Sequence, residues 1–212
     1  SPDLDPLRKA CITVSRYLKK EDIVVFESTV YPGLTEEFCG KILEKESKLI
    51  MNKDFFLGYS PERINPGDKI HSVDKITKVV SSNNKKSLKI LKEIYSKLTS
   101  GQIFIAKNIK VAEAAKVIEN SQRDINIAFI NEIAKISQKL NISIYDVLEA
   151  SNTKWNFLPF YPGLVGGHCI GVDPYYISFK AKKLGINPEV ILSGRRTNDR
   201  MSNFIAKEII SR

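Results

Sequence analysis

IKVAEAAKVIENSQRDINIAFINEIAKISQKL, residues 109–140, runs for 32 residues without a glycine or proline. At 1.5 Å per residue it predicts a helix about 48 Å long, longer than most globular helices, and such a rod must bury more than one face. Upstream the texture differs. Short β-branched runs at Ile23–Thr29, Phe55–Tyr59, Ile76–Ser81 and Ile103–Ala106 alternate with amphipathic stretches at Leu7–Lys20, Thr35–Lys45 and Lys85–Leu98. That alternation predicts an α/β layer with parallel strands, and Asn84 or Asn83 is placed to cap the third helix. Downstream a helical stretch at Ile144–Ser151 precedes the Pro/Gly-rich segment NFLPFYPGLVGGHC, and helices over Asp173–Leu184 and Pro188–Arg212 close the chain. The fold class read from this is α/β followed by all-α. Residues 1–107 form one domain and 108–212 a helical one, joined through the long helix.

The chain has 212 residues, 42% hydrophobic and 27% charged, which excludes the disordered and fibrous classes and allows about one to two domains. No run approaches the roughly 20 apolar residues of a membrane span, and SPDLDPLRKA lacks the order of a signal peptide. A cytoplasmic protein with no membrane partner is expected. The net charge of +9 favours anionic partners without choosing among them. Lys85, Lys86, Lys89, Lys92 and Lys97 carry no interleaved aromatic residues, so they read as a solvated helix face and no nucleic-acid partner is expected. Cys11, Cys39 and Cys169 are too few and irregular for a disulfide framework. With only His71 and His168 beside them, no metal site is expected.

Chemistry-bearing residues fall in three places. Cys169 follows Gly166, Gly167 and His168. At the mouth of a helix its thiolate is favoured by the N-terminal dipole, and Asp173 lies four residues on, on the same side if the segment is helical. The bland reading is a buried thiol beside a tight turn. Lys116 and Asn120 stand at i and i+4 among small residues, a pair of donors suited to an oxyanion, although Lys and Asn on a helix ordinarily face solvent. Glu62, in GYSPERINPGD, and Thr29, ending IVVFEST, sit at the carboxyl ends of expected strands, where ligands of α/β sheets collect; capping or turn roles are the simpler alternative.

Taken together, ESTVYPG (27–33), GYSPERINPGD (58–68), VAEAAKVIEN (111–120), QRDINIAFINE (122–132) and TKWNFLPFYPGLVGGHCIGVDPYY (153–176) resemble the NAD-dependent nucleotide-sugar 6-dehydrogenase family over nearly all of the chain. The last block looks like the branch acting on UDP-N-acetylglucosamine or UDP-N-acetylgalactosamine in surface-polysaccharide, capsule and Vi-type pathways. Two departures weigh against UDP-glucose. Val172 stands where the UDP-glucose branch usually has lysine, and Pro66 where it has a second carboxylate.

The resemblance implies a second half of a Rossmann-like cofactor lobe followed by the central helical dimerisation domain. It implies oxidation of the sugar C6 alcohol by two hydride transfers to NAD, through a thiohemiacetal and then a thioester on Cys169. Lys116 and Asn120 would stabilise oxyanions, Asp173 would hold water, and Glu62 would serve as base for hydrolysis. Thr29 would orient a water and, with Ser28 and Cys169, approach the cofactor. Glu62, Arg63, Lys116, Asn120, Phe157, Gly163 and Gly166 would line the UDP-sugar. The long helix 109–140 would pair in a homodimer, with Ile127, Ile130, Ile133 and Ala134 as buried positions. Cys11 and Cys39 match no catalytic position.

No G-x-G-x-x-G occurs in the 212 residues. The expectation is an internal portion of a longer enzyme, whose isolated 212-residue chain reduces no NAD. UDP-glucose or UDP-N-acetylmannosamine oxidation, and a non-catalytic dimerisation module, are the competing readings.

Overall fold

The computed structural model describes residues 2–64, 70, 72–167 and 170–211. The chain divides into two compact units, Ser1–Val117 and Ile118–Arg212.

In the first unit α1 (Asp5–Ser15) leads into strand β1 (Ile23–Phe26), and a π-helical segment, Thr35–Gly40, runs into α2 (Lys41–Ser47). Strands β2 (Phe56–Tyr59) and β3 (Lys78–Ser82), helix α3 (Lys85–Leu98) and β4 (Ile103–Ile105) follow. The sheet order is β1-β2-β3-β4. β1 pairs parallel with β2 and β3 parallel with β4, but β2 and β3 are antiparallel, Gly58 facing Ser82 and Tyr59 facing Ser81. The all-parallel expectation fails at this one ladder. A parallel return needs a crossover, usually a helix, and the described part of the 60–77 connection contains none.

All four residues of β2 are buried, as a central strand requires. Val80, Leu91 and Tyr95 form the core between sheet and α3, with Ile23, Val25, Leu88 and Ile103 packed against them. Gly58 permits that approach: a Cβ there would lie 2.4 Å from Leu91 Cδ1. Asn84 is the cap of α3. Its Oδ1 accepts from the amides of Lys86 at 2.8 Å and Ser87 at 3.2 Å, while Asn83 Oδ1 accepts from Leu57 N instead. The five α3 lysines are exposed, as a solvated face requires.

The long helix α4 (Ile109–Lys139) is continuous and about 46 Å long, and the division between units falls within it. The second unit continues with α5 (Ile144–Asn152), α6 (Asp173–Lys183), α7 (Glu189–Asp199) and α8 (Met201–Ile210). The single helix expected over Pro188–Arg212 is two, separated at Arg200, a turn residue with φ of −86° and ψ of −7°. Among the described residues no helix is long and apolar enough to cross a membrane.

Candidate active site

At the carboxyl end of the parallel pair the two chains stay together beyond the strands. Ser60 N donates to Phe26 O at 3.0 Å and Glu62 N to Glu27 O at 3.3 Å. This places Glu62 and Arg63 beside the segment carrying Ser28 and Thr29, where ligands of such sheets bind. Glu62 Oε1 accepts from the amides of Arg63 and Ile64 at 2.7 and 2.9 Å, and Arg63 donates to Thr77 O at 3.1 Å. Ser28 is exposed and Thr29 half-buried, and neither hydroxyl has a protein partner among the described residues.

Behind Glu62 lies a cation that the sequence did not single out. Lys78 on β3 is 4% exposed, its ammonium 3.8 Å from Glu62 and 5.5 Å from the centre of the Tyr95 ring. The Tyr95 hydroxyl donates to Glu27 Oε1 at 2.6 Å, and burial, then this bond to Glu27, push its pKa upward. A lysine inside ITKVV carries no sequence signal of burial.

The segment after Thr29 is held from α4. Glu113, fully buried, accepts from Gly33 N at 2.5 Å and Thr35 N at 2.8 Å. Gly33 has φ of +93°, a conformation that favours glycine. Burial raises the Glu113 carboxyl above its ordinary value, outweighing the lowering by the Thr35 and Gly33 hydrogen bonds.

One turn further along α4, Lys116 is 8% exposed and holds no hydrogen bond or ion pair to protein among the described residues. Solvent exposure, the ordinary state of a helical lysine, is therefore not its state. A buried ammonium that meets no anion costs on the order of several kcal/mol, so this position suits an anion or a developing oxyanion.

In the second unit Asn120 Nδ2 donates to Asp173 Oδ2 at 2.5 Å, and both side chains are buried. Asp173 opens α6, and residues 170–172 immediately before it form a turn. Cys169 and His168 lie outside the described residues, as do Pro66 and His71. Phe157 and Gly163 are half-buried and Gly166 exposed, and no described residue lies within 4 Å of where a Cβ would sit on Gly163 or Gly166. Gly167 has φ of +85°.

A buried ion pair lies deeper. Arg195 donates to Asp124 at 2.6 Å and also reaches Asp199, while Asn198 Nδ2 donates to Asp124 Oδ1 at 2.7 Å. Burial opposes the Arg195 charge, but Asp124, a Tyr175 hydrogen bond and Asp199 together raise its pKa. Cys11 and Cys39 are both buried; the hydrogen bond with Cys11 and then burial push the Cys39 thiol upward. No cluster of three or more metal-binding side chains occurs among the described residues.

The sequence model of the UDP-glucose/GDP-mannose dehydrogenase family, NAD binding domain, matches residues 1–99, and that of its central domain matches residues 110–200. The chain belongs to this family. Protein CapL of Staphylococcus aureus is 59% identical over 99% of the chain and 49% of its own length. UDP-N-acetyl-D-glucosamine 6-dehydrogenase of Salmonella typhi is 55% identical over 99% of the chain and 49% of its own length. The structure of UDP-D-ManNAc dehydrogenase from Pyrococcus horikoshii superposes with a TM-score of 0.91 at 32% identity, covering all of this chain and 50% of that one. The chain thus spans about half the length of these relatives.

NAD is the cofactor of the family domain matched by residues 1–99. Ser28 and Thr29, whose hydroxyls have no protein partner among the described residues, stand at the carboxyl end of a parallel strand pair, a place that fits one end of such a dinucleotide.

Proposed function

We propose that the protein carrying this chain oxidises C6 of a UDP-N-acetylhexosamine, UDP-N-acetylglucosamine or UDP-N-acetylgalactosamine, to the uronic acid for surface-polysaccharide synthesis. The observation that carries this reading is the Lys116 ammonium, buried and without a hydrogen bond or ion pair among the described residues, in a chain of this family. NAD, held in part by Ser28 and Thr29, supplies the hydride acceptor when bound. Lys116 stabilises the alkoxide formed when the C6 alcohol loses its proton, and the oxyanions that follow. Loss of a first hydride from that alkoxide leaves the C6 aldehyde, the Cys169 thiolate adds to it to give a thiohemiacetal, and loss of a second hydride leaves a thioester. Glu62 takes a proton from the water that hydrolyses the thioester, releasing the acid and the thiolate. Asn120 holds the Asp173 carboxylate oriented, and Asp173 in turn holds a water for proton transfer. Arg63 meets the diphosphate charge, while Phe157, Gly163 and Gly166 line the sugar nucleotide.

Relatives favour UDP-N-acetylglucosamine over UDP-N-acetylmannosamine. Identity to the UDP-N-acetyl-D-glucosamine 6-dehydrogenase of Salmonella typhi is 55%, against 35% to the UDP-N-acetyl-D-mannosamine dehydrogenase of Methanocaldococcus jannaschii. UDP-N-acetylmannosamine is the second reading, favoured by the close match in shape to the Pyrococcus structure. Side-by-side rates with these sugars and UDP-glucose separate the readings. A homodimer through α4 is part of the proposal. Of the positions the sequence suggested as buried, Ile130 is buried and Ile127, Ile133 and Ala134 are half-buried, while Val111, Ile118, Phe129 and Ile136 are large exposed apolar residues of α4 at helical spacing.

A further inference from the structure

Asn131 lies on α4 three turns beyond Asn120 and is fully buried, yet no step of the proposed chemistry uses it. Its carboxamide pairs with the main chain of one residue. Gly163 N donates to Asn131 Oδ1 at 2.8 Å, and Asn131 Nδ2 donates to Gly163 O at 2.9 Å. The same Nδ2 donates to Asn198 Oδ1 at 2.9 Å. Asn198 is itself fixed, because its Nδ2 donates to Asp124 Oδ1 and to Asp124 O at 2.9 Å, and Arg195 neutralises Asp124. This chain sets the amide orientation: turned over, Asn131 would point its NH₂ at the Gly163 N–H and its oxygen at the Gly163 and Asn198 oxygens.

Residues 155–167 are otherwise thinly tied. They contain no helix or strand, and among the described residues Asn131 is the only side chain that hydrogen-bonds to them. Trp155, Leu158, Tyr161 and Leu164 are exposed, and the space beside Gly163 is open. A segment with so few internal bonds has one two-point clamp, on the glycine beside that space.

We propose that Asn131 is a positioning residue for the sugar nucleotide. Its amide, oriented by Asn198 and Asp124, holds Gly163 so that the 157–167 loop is preformed to receive the UDP-sugar. This rests on the function proposed above. Preforming the loop removes an ordering cost from binding, so the clamp acts on sugar-nucleotide affinity and not on the cofactor.

Asn131→Leu keeps the volume and removes all three bonds. Asn131→Asp keeps the acceptor for Gly163 N and loses both donors. Amide hydrogen exchange at Gly163 in the 212-residue chain is expected to quicken about tenfold or more in the leucine variant, the usual consequence of losing a buried hydrogen bond. In the gene-encoded protein, KM for UDP-N-acetylglucosamine is expected to rise about tenfold in Asn131→Leu and less in Asn131→Asp, with KM for NAD held within about twofold. Unchanged Gly163 exchange would remove the clamp. Faster exchange with an unchanged sugar KM, or equal rises in both KM values, would reduce Asn131 to a structural residue and overturn the proposal. The wild type separates this from the underlying reading: if it oxidises no UDP-sugar, that reading fails before any variant is compared.

Discussion

Buried polar residues on α4 differ in the partners they hold, and sequence distinguishes them poorly. Lys116 and Asn120 were legible because they sit in a motif, and Asp173 because it follows the Gly-Gly segment. Glu113 and Asn131 stand in equally visible stretches but look like any helical polar residue, since one sequence does not say which face is covered. Lys78 is the same case on a strand, a lysine inside an apolar run that lies buried beside Glu62. Glu113 gives a pH prediction. Its folded pKa is raised above the usual value near 4.5, so the folded chain binds that proton more tightly than the unfolded one. The resulting stability is fully present below the unfolded value and is lost as pH rises through the raised folded value. Urea unfolding across that window should show the loss in the wild type and not in Glu113→Gln; identical slopes with pH would deny Glu113 this role. For Cys169, replacement by serine should stop uronate production while leaving the fold intact. Unchanged steady-state production would remove Cys169 from the mechanism.

Elements were read well where periodicity and caps are strong. α3 and α4 fall where the pattern puts them, and Asn84 makes the cap its position suggests. Asn84→Ala should lower the stability of the first unit by about 1 kcal/mol in denaturant melts, and a change near zero would mean the cap is replaced by water. Three features escaped. The break at Arg200 has no glycine or proline to mark it, the π-helical entry to α2 reads as ordinary helix, and strand direction in β2 and β3 is set by a connection without periodicity. In the second unit the Asp124–Arg195 pair joins α4 to α7 with both side chains buried. Removing one partner leaves an uncompensated charge, so Arg195→Met should cost about 3–5 kcal/mol in chemical unfolding. The double variant Asp124→Leu/Arg195→Met should recover part of that loss, and a double variant as unstable as the sum would show no coupling.

For the whole molecule, the +9 charge and the length gain a meaning that composition alone did not give. Anionic dinucleotide and UDP-sugar suit the charge, and the sequence spans about half the length of its dehydrogenase relatives. The exposed apolar line on α4 bears on assembly: Phe129→Glu with Ile136→Glu should shift sedimentation from dimer toward monomer, and an unchanged profile would place the contact elsewhere. The most direct test of the account is NADH formation by the gene-encoded protein with UDP-N-acetylglucosamine, UDP-N-acetylgalactosamine, UDP-N-acetylmannosamine and UDP-glucose assayed in parallel. The account predicts two NADH formed per sugar, with UDP-N-acetylglucosamine or UDP-N-acetylgalactosamine preferred and the uronic acid as product. No NADH with any of the four, or a preference for UDP-glucose, would contradict it.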